Sequence, residues 1–145
     1  MTDIVVPHSI IALTVYALWA IVLVVFIALS RASQVMSGKA QIGDFTAGIK
    51  HGGEGYWRLN RAHLNTLENL PIFGALVLAG WVAGLDTDTF NMLAVVIVAA
   101  RIVQSLIHIS SGSALAINLR FLSLLVQIVC EVWMAVLIFH AAKVF

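Results

Sequence analysis

The chain has 145 residues, of which 61% are hydrophobic and only 10% charged, and its mean hydropathy is +1.02. A water-soluble domain carries about 25% charged residues, so this composition excludes a solvated globular surface and implies an all-α integral membrane protein. A formal net charge of +1 without any basic run offers no argument for a nucleic-acid partner, and the single Cys130 excludes an intrachain disulfide.

From Ile4 to Ser30 the sequence contains no Asp, Glu, Lys or Arg, which is ample for a span needing roughly 20 residues. A first transmembrane helix is expected at about 8–30. Ala28-Leu29-Ser30 looks like a cleavage site, but residues 1–9 contain Asp3 and no Lys or Arg. The apolar run is also longer than a signal h-region of roughly 7–15 residues, so the segment is expected to be retained. Trp19 faces lipid or another helix, His8 beside Pro7 is an interfacial residue, and Arg31 ends the run at the headgroups.

Residues 32–55 form the one long polar connection and hold six of the ten glycines: Gly38, Gly43, Gly48, Gly52, Gly53 and Gly55. Such a loop is either floppy or folded against something. Gly52-Gly53-Glu54-Gly55 lacks the Lys-Ser/Thr and the preceding strand of a phosphate-cradling loop. His51 and Glu54 are too few to make a metal site, and no metal is expected.

A second helix is expected at about 56–82, with Tyr56 and Trp57 at the membrane–water interface. On it Arg58, Arg61, Asn65 and Glu68 fall at i, i+3, i+7 and i+10, within about 80° of one another on a helix. Pro71 removes one backbone hydrogen bond and should kink the helix, exposing the Leu67 carbonyl beside Glu68. Gly84-Leu85-Asp86-Thr87-Asp88 is a tight turn without positive charge.

The third helix, at about 89–109, gathers Arg101, Gln104, Ser105 and His108 on one face. Ser110-Ser111-Gly112-Ser113 breaks it. The fourth, at about 116–143, carries a third polar stripe of Arg120, Ser123, Gln127 and Glu131, with Cys130 beside it as a small buried residue and His140 and Lys143 near its far end. The result is a single domain over residues 1–145 with four transmembrane helices and no internal repeat.

Five of the eight Lys and Arg residues (Arg31, Lys39, Lys50, Arg58 and Arg61) lie between 31 and 61, and Arg120 follows the third helix. The positive-inside rule then places loops 32–55 and 110–119 in the cytoplasm and both termini outside. At 1.5 Å per residue, Glu68 lies roughly 10 Å, Arg101 roughly 12 Å and Glu131 roughly 16 Å from the cytoplasmic boundary. Each would cost roughly 2.5–3.5 kcal/mol if left unpaired near the bilayer centre. Pairing of Arg101 with Glu68 or with Glu131 is therefore expected, and Arg101 and Glu131 are read as structural intramembrane charges tying helices together. Three helices each turn a polar face inward toward the cytoplasmic side, which describes a cationic pocket for a polar anion beside lipid.

The run Arg61-Ala62-His63-Leu64-Asn65-Thr66-Leu67-Glu68-Asn69-Leu70-Pro71-Ile72-Phe73 resembles the second-helix signature of the MAPEG family, the membrane-associated proteins of eicosanoid and glutathione metabolism. Chain length, helix count and Arg101 fit the same resemblance. It implies a homotrimer of four-helix subunits that binds glutathione as a co-substrate between subunits near the cytoplasmic face. Arg61, Asn65 and Glu68 fall on glutathione-contacting positions, with Arg58 nearby and Arg31 matching another basic residue of the site. Arginines and one carboxylate suit the two carboxylates and the ammonium of glutathione. Arg120 is the candidate for the catalytic arginine that stabilises the glutathione thiolate.

The chain departs from the family pattern on the third helix. Relatives often carry tyrosines or a histidine where this chain has Gln104 and His108, which become candidate glutathione contacts. The only tyrosines, Tyr16 and Tyr56, are not expected to substitute. The spacing to Arg120 is also longer than in the eicosanoid enzymes. The expected function is a glutathione-dependent transferase or peroxidase acting on a lipophilic electrophile or hydroperoxide that arrives through the bilayer. Two other readings compete: a membrane scaffold that keeps the fold without turnover, and a proton-coupled exporter built on Glu68 or Glu131.

Overall fold

The computed structural model describes residues 6–46 and 49–143. Asp3, the start of the apolar run at Ile4, Gly48 and the last two residues lie outside the described residues. The chain folds into four helices, α1 (His8–Met36), α2 (Glu54–Val82), α3 (Asp88–Ser110) and α4 (Ala114–Ala141), with a single 3-10 turn at Ile42–Asp44 between the first two. α1, α3 and α4 are long and apolar enough to cross a membrane. α2 is as long as α1, at 29 residues, but its first half carries the polar stripe.

Helix bounds differ from expectation mainly at the end of α1, which runs six residues past Ser30 to Met36. Arg31 to Met36 contain no residue that stops a helix, and the stop comes at Gly38. That residue adopts φ +68°, and its N–H reaches the Val35 carbonyl at 3.0 Å while Lys39 N–H reaches Gln34 at 2.9 Å. These paired backward bonds satisfy the last carbonyls and need a left-handed residue, which glycine adopts without steric cost. The expected loop 32–55 shrinks accordingly to 37–53. α2 begins at Glu54 rather than Tyr56 and continues as one helix through Pro71. α4 runs from 114 to 141 rather than 116–143 because Ser113 caps it, its hydroxyl accepting from Ala116 N–H at 3.3 Å. The third connection is consequently only residues 111–113.

The loop is folded against the helices. Arg31 Nε donates to the Tyr56 hydroxyl at 2.7 Å, and its guanidinium lies 5.3 Å from the centre of the Phe45 ring. His51 Nε2 lies 3.3 Å from the same hydroxyl and Nδ1 2.7 Å from the Ile49 carbonyl. A neutral imidazole protonated on Nδ1 makes this a directional chain: Arg31 donates to Tyr56, Tyr56 to His51, and His51 to the backbone. Phe45, His51 and Tyr56 pack ring against ring, and Lys50 pairs with Glu54 at the head of α2.

α2 and α3 occupy the middle of the bundle. α1 packs along both, whereas α4 packs mainly on α3 and less on α2, and α1 and α4 form no substantial contact. At one end Ser9 N–H donates to Asn91 at the start of α3, 2.9 Å away, and Asn91 donates to Asp86 in the α2–α3 turn. At the other end lie the 37–53 loop and the 111–113 turn. Between apolar helices in lipid the hydrophobic effect contributes little, so close packing must hold the helices together. Tyr16, Phe73, Val77, Phe90, Ala94, Ile97 and Met134 are fully buried there, with the Tyr16 and Phe73 rings 5.3 Å apart.

Gly80 shows how tight this packing is. A β-carbon there would stand 2.2 Å from Cζ of Phe90. Gly80→Ala is expected to destabilise the bundle by about 1–3 kcal/mol through overpacking, outweighing a helix-propensity gain of at most about 1 kcal/mol. Thermal unfolding in detergent reads this loss, and Phe90→Leu in the same chain should recover part of it.

The loop has a pH signature. Lys50 beside Glu54 holds the Glu54 carboxyl below the usual carboxylate range. A depressed carboxyl contributes stability at higher pH and loses it as pH falls through its folded-state value. Hydrogen-exchange protection of the backbone amides at 52–55 should therefore hold at neutral pH and fall on acidification, and Glu54→Gln should abolish that dependence.

Candidate functional site

The α2 stripe faces the α3–α4 side of the bundle. Its Asn65, Glu68, Asn69 and Ile72, with Arg101 and Gln104 of α3 and Leu124 of α4, line a cavity of about 260 Å³. The two glutathione-binding candidates Asn65 and Glu68 thus share one space with Gln104 and Arg101. Arg101 is 3% exposed, and its Nη1 donates to the Asn65 carbonyl at 3.1 Å. Its Nε is buried with no protein partner.

The expected ion pairs of Arg101 are absent. Among the described residues the one charge pair within 4.0 Å is Lys50–Glu54. Glu131, 7% exposed, instead accepts from Asn69 Nδ2 at 2.7 Å. Both intramembrane charges are met by neutral amide groups of α2, because Asn65 and Asn69 present a carbonyl and an NH2 group between them. Arg101 and Glu131 therefore join α3 and α4 to α2 rather than to each other. Arg101 also lines the cavity, so its role is not confined to tying helices.

Gln104 is held on both sides. Its Nε2 donates to the Arg120 carbonyl at 2.9 Å and its Oε1 accepts from Gln127 Nε2 at 3.1 Å. This fastens the first turns of α4 to α3 and fixes where the Arg120 side chain leaves its helix. Nearer the helix ends, the charges acting on the His108 ring are those of Arg120, Arg61 and Arg58. These four candidate side chains thus share one neighbourhood where α2, α3 and α4 terminate. Arg58 also has a local partner: its Nε donates to the Ile109 carbonyl at 3.2 Å, satisfying an orphan acceptor at the end of α3. Arg61 and Glu68 are exposed on the single chain, and Arg120 is half-buried.

Arg31 is not brought to this cavity. It belongs to the aromatic cluster of the loop, and together with Val24, Ile27, His51, Trp57 and His63 it borders a separate cavity of about 210 Å³ between α1 and α2. His51 and Glu54, the two weak metal candidates, are engaged with Tyr56 and Lys50 respectively.

Two side chains in this region escaped the sequence reading. Asn69 lies eleven residues after Arg58, about 20° from it on a helix, so the stripe itself pointed to it. Tyr16, in contrast, lies in an otherwise apolar helix with no pattern around it. It is fully buried, donates to the Thr66 carbonyl at 3.1 Å and interacts with the side chains of Asn69 and Arg101. The expectation that neither tyrosine reaches the pocket region is thereby corrected for Tyr16. Thr66 extends the same network, its hydroxyl bonding to the Ala62 carbonyl at 2.9 Å and lying 3.4 Å from that of Ser105.

A helical bundle with three long apolar helices, whose polar side chains converge on an internal cavity flanked by arginines, defines an integral membrane protein with a polar ligand pocket. The sequence model of the MAPEG family matches residues 9–140, nearly the whole chain. The chain belongs to that family and is a membrane protein of the glutathione and eicosanoid metabolism group. No curated protein matches it.

The Arg58 contact yields a local prediction. Arg58→Ala should leave the bundle folded but expose the last turn of α3, at a cost of about 1 kcal/mol. Faster hydrogen exchange confined to residues 109–113 is the expected result.

Proposed function

We propose that this chain is a glutathione-dependent membrane transferase or peroxidase. Glutathione occupies the α2–α3–α4 cavity and the arginine neighbourhood at its outer end, and a lipophilic electrophile or hydroperoxide reaches it from the bilayer. The observation that carries this reading is the convergence of Asn65, Glu68, Arg101 and Gln104 on one cavity, with Arg61 and Arg120 acting on the same His108. The cavity alone supplies both signs of charge that the zwitterionic peptide requires. Arg120 would favour the thiolate, since a cation beside a thiol lowers its pKa. His108 would contribute a hydrogen bond, and Arg31 would contribute from a neighbouring subunit.

A homotrimer is supported by Glu68 and Arg61, which are exposed on the single chain although they lie on the face that carries the pocket. An exposed charge at membrane depth needs a protein or ligand neighbour, and a second copy provides one. The loop 37–53 and the turn 111–113 belong to the cytoplasmic side in this reading, with all four helices spanning the bilayer and both termini outside.

A scaffold without turnover is the second reading, and it draws on Gln104. Both ends of its amide are committed to α4, so it has less freedom to serve a reacting ligand.

Thermal unfolding of the detergent-solubilised protein tests the pocket. Glutathione at 100 times its dissociation constant should stabilise the protein by about 2.7 kcal/mol, and Arg61→Ala should weaken binding about tenfold or more. Arg120→Ala should retain binding and lose turnover with lipophilic acceptors. No stabilisation by glutathione rejects the pocket; binding without turnover in the unaltered protein selects the scaffold.

A further inference from the structure

Glu131 is a buried carboxylate whose hydrogen-bond partner is a neutral amide, and that amide lines the cavity. Asn69 Nδ2 reaches Glu131 Oε1 at 2.7 Å. An ionised carboxylate only accepts, so this contact fixes which way the Asn69 amide is turned. The NH2 group faces Glu131, and the carbonyl oxygen is turned away from it. Asn69 thereby becomes an acceptor beside Glu68, the cavity's one lining carboxylate. Arg101 lines the same cavity with a buried, unpartnered Nε, which is a donor awaiting an acceptor. Two acceptors and one cationic donor within about 260 Å³ match an ammonium and a carboxylate carried on one carbon.

We propose that Glu131 is a positioning residue which, through Asn69, shapes the inner end of the cavity to hold an α-amino acid head group. Asn69 and Glu68 accept from the ammonium, and Arg101 donates to the carboxylate. This rests on the glutathione reading above and adds the orientation of the ligand, with its γ-glutamyl end innermost. Ile72 and Leu124 close the apolar side of the cavity, so an ammonium there has few other acceptors. Replacing Glu131 by Gln keeps the size of the side chain but adds a donor. The Asn69 amide is then free to turn its NH2 group toward the ligand, where it opposes the ammonium.

The test compares two ligands on the whole solubilised protein: glutathione, and the analogue in which a glutaryl group replaces γ-glutamyl so that only the ammonium is missing. The unaltered protein should bind glutathione about tenfold or more tighter than the analogue. Glu131→Gln and Asn69→Leu should each reduce that preference to about twofold or less, by weakening glutathione while leaving the analogue nearly unchanged. A purely structural role would weaken both ligands alike, and that outcome overturns the proposal, as does an unaltered preference in Asn69→Leu. Should Glu131→Gln fail to fold, Asn69→Leu decides alone, because it leaves the carboxylate in place. Binding of both ligands equally by the unaltered protein rejects this inference and leaves the pocket standing, whereas binding of neither rejects both.

Discussion

The hydrogen bond from Arg101 to the Asn65 carbonyl is the constraint on which the interior depends. A guanidinium inside an apolar bundle cannot turn to water, so α3 must sit where α2 offers an acceptor. A helical carbonyl already bonded along its own helix retains a second lone pair, and α2 uses two adjacent ones in this way. Asn65 receives Arg101 from α3, and Thr66 receives Tyr16 from α1. One turn of α2 thus sets the register of both neighbours. The Thr66–Ser105 contact lies in that same turn.

The rest of the polar interior is wired with amides. Asn69 meets Glu131, and Gln104 bridges Gln127 to the Arg120 carbonyl. Amides suit this position because each carries a donor and an acceptor and can satisfy a charge without introducing another. An oppositely charged pair would demand that both ions be desolvated in good mutual geometry, which is costly to arrange. Here each ion is taken up separately by α2. The cavity lies among these fixed groups, so its walls are set by the contacts that hold the helices together.

Much of this was legible in the sequence, and the failures have physical causes. Apolar runs and interface residues located all four helices, and the 3.6-residue period placed Asn65, Glu68, Arg101 and Gln104 on faces that meet in one cavity. The end of α1 was set too early because charge was taken as the terminator, whereas the chain stops where a left-handed glycine allows the last carbonyls to be satisfied. The partners of Arg101 and Glu131 were misassigned because opposite charge suggests a pair, but period alone does not reveal which helix lies between two others. Tyr16 was out of reach for a related reason: its importance comes from Thr66 and Arg101 on other helices. Arg31 lies at the other side of α2 because α1 packs there, a matter of helix order within the bundle that no stripe encodes.

The direction of these bonds along the chain also bears on how such a protein is made. Arg101 finds its acceptor on Asn65, Glu131 its donor on Asn69, and Gln127 its acceptor on Gln104. In every case the partner lies earlier in the sequence. During synthesis from the N-terminus, each of these polar side chains therefore emerges after the group that will receive it. α2, the most polar of the four helices, emerges early, and α3 and α4 follow to cover it. The wiring that fixes the finished bundle is also compatible with laying it into a membrane one helix after another.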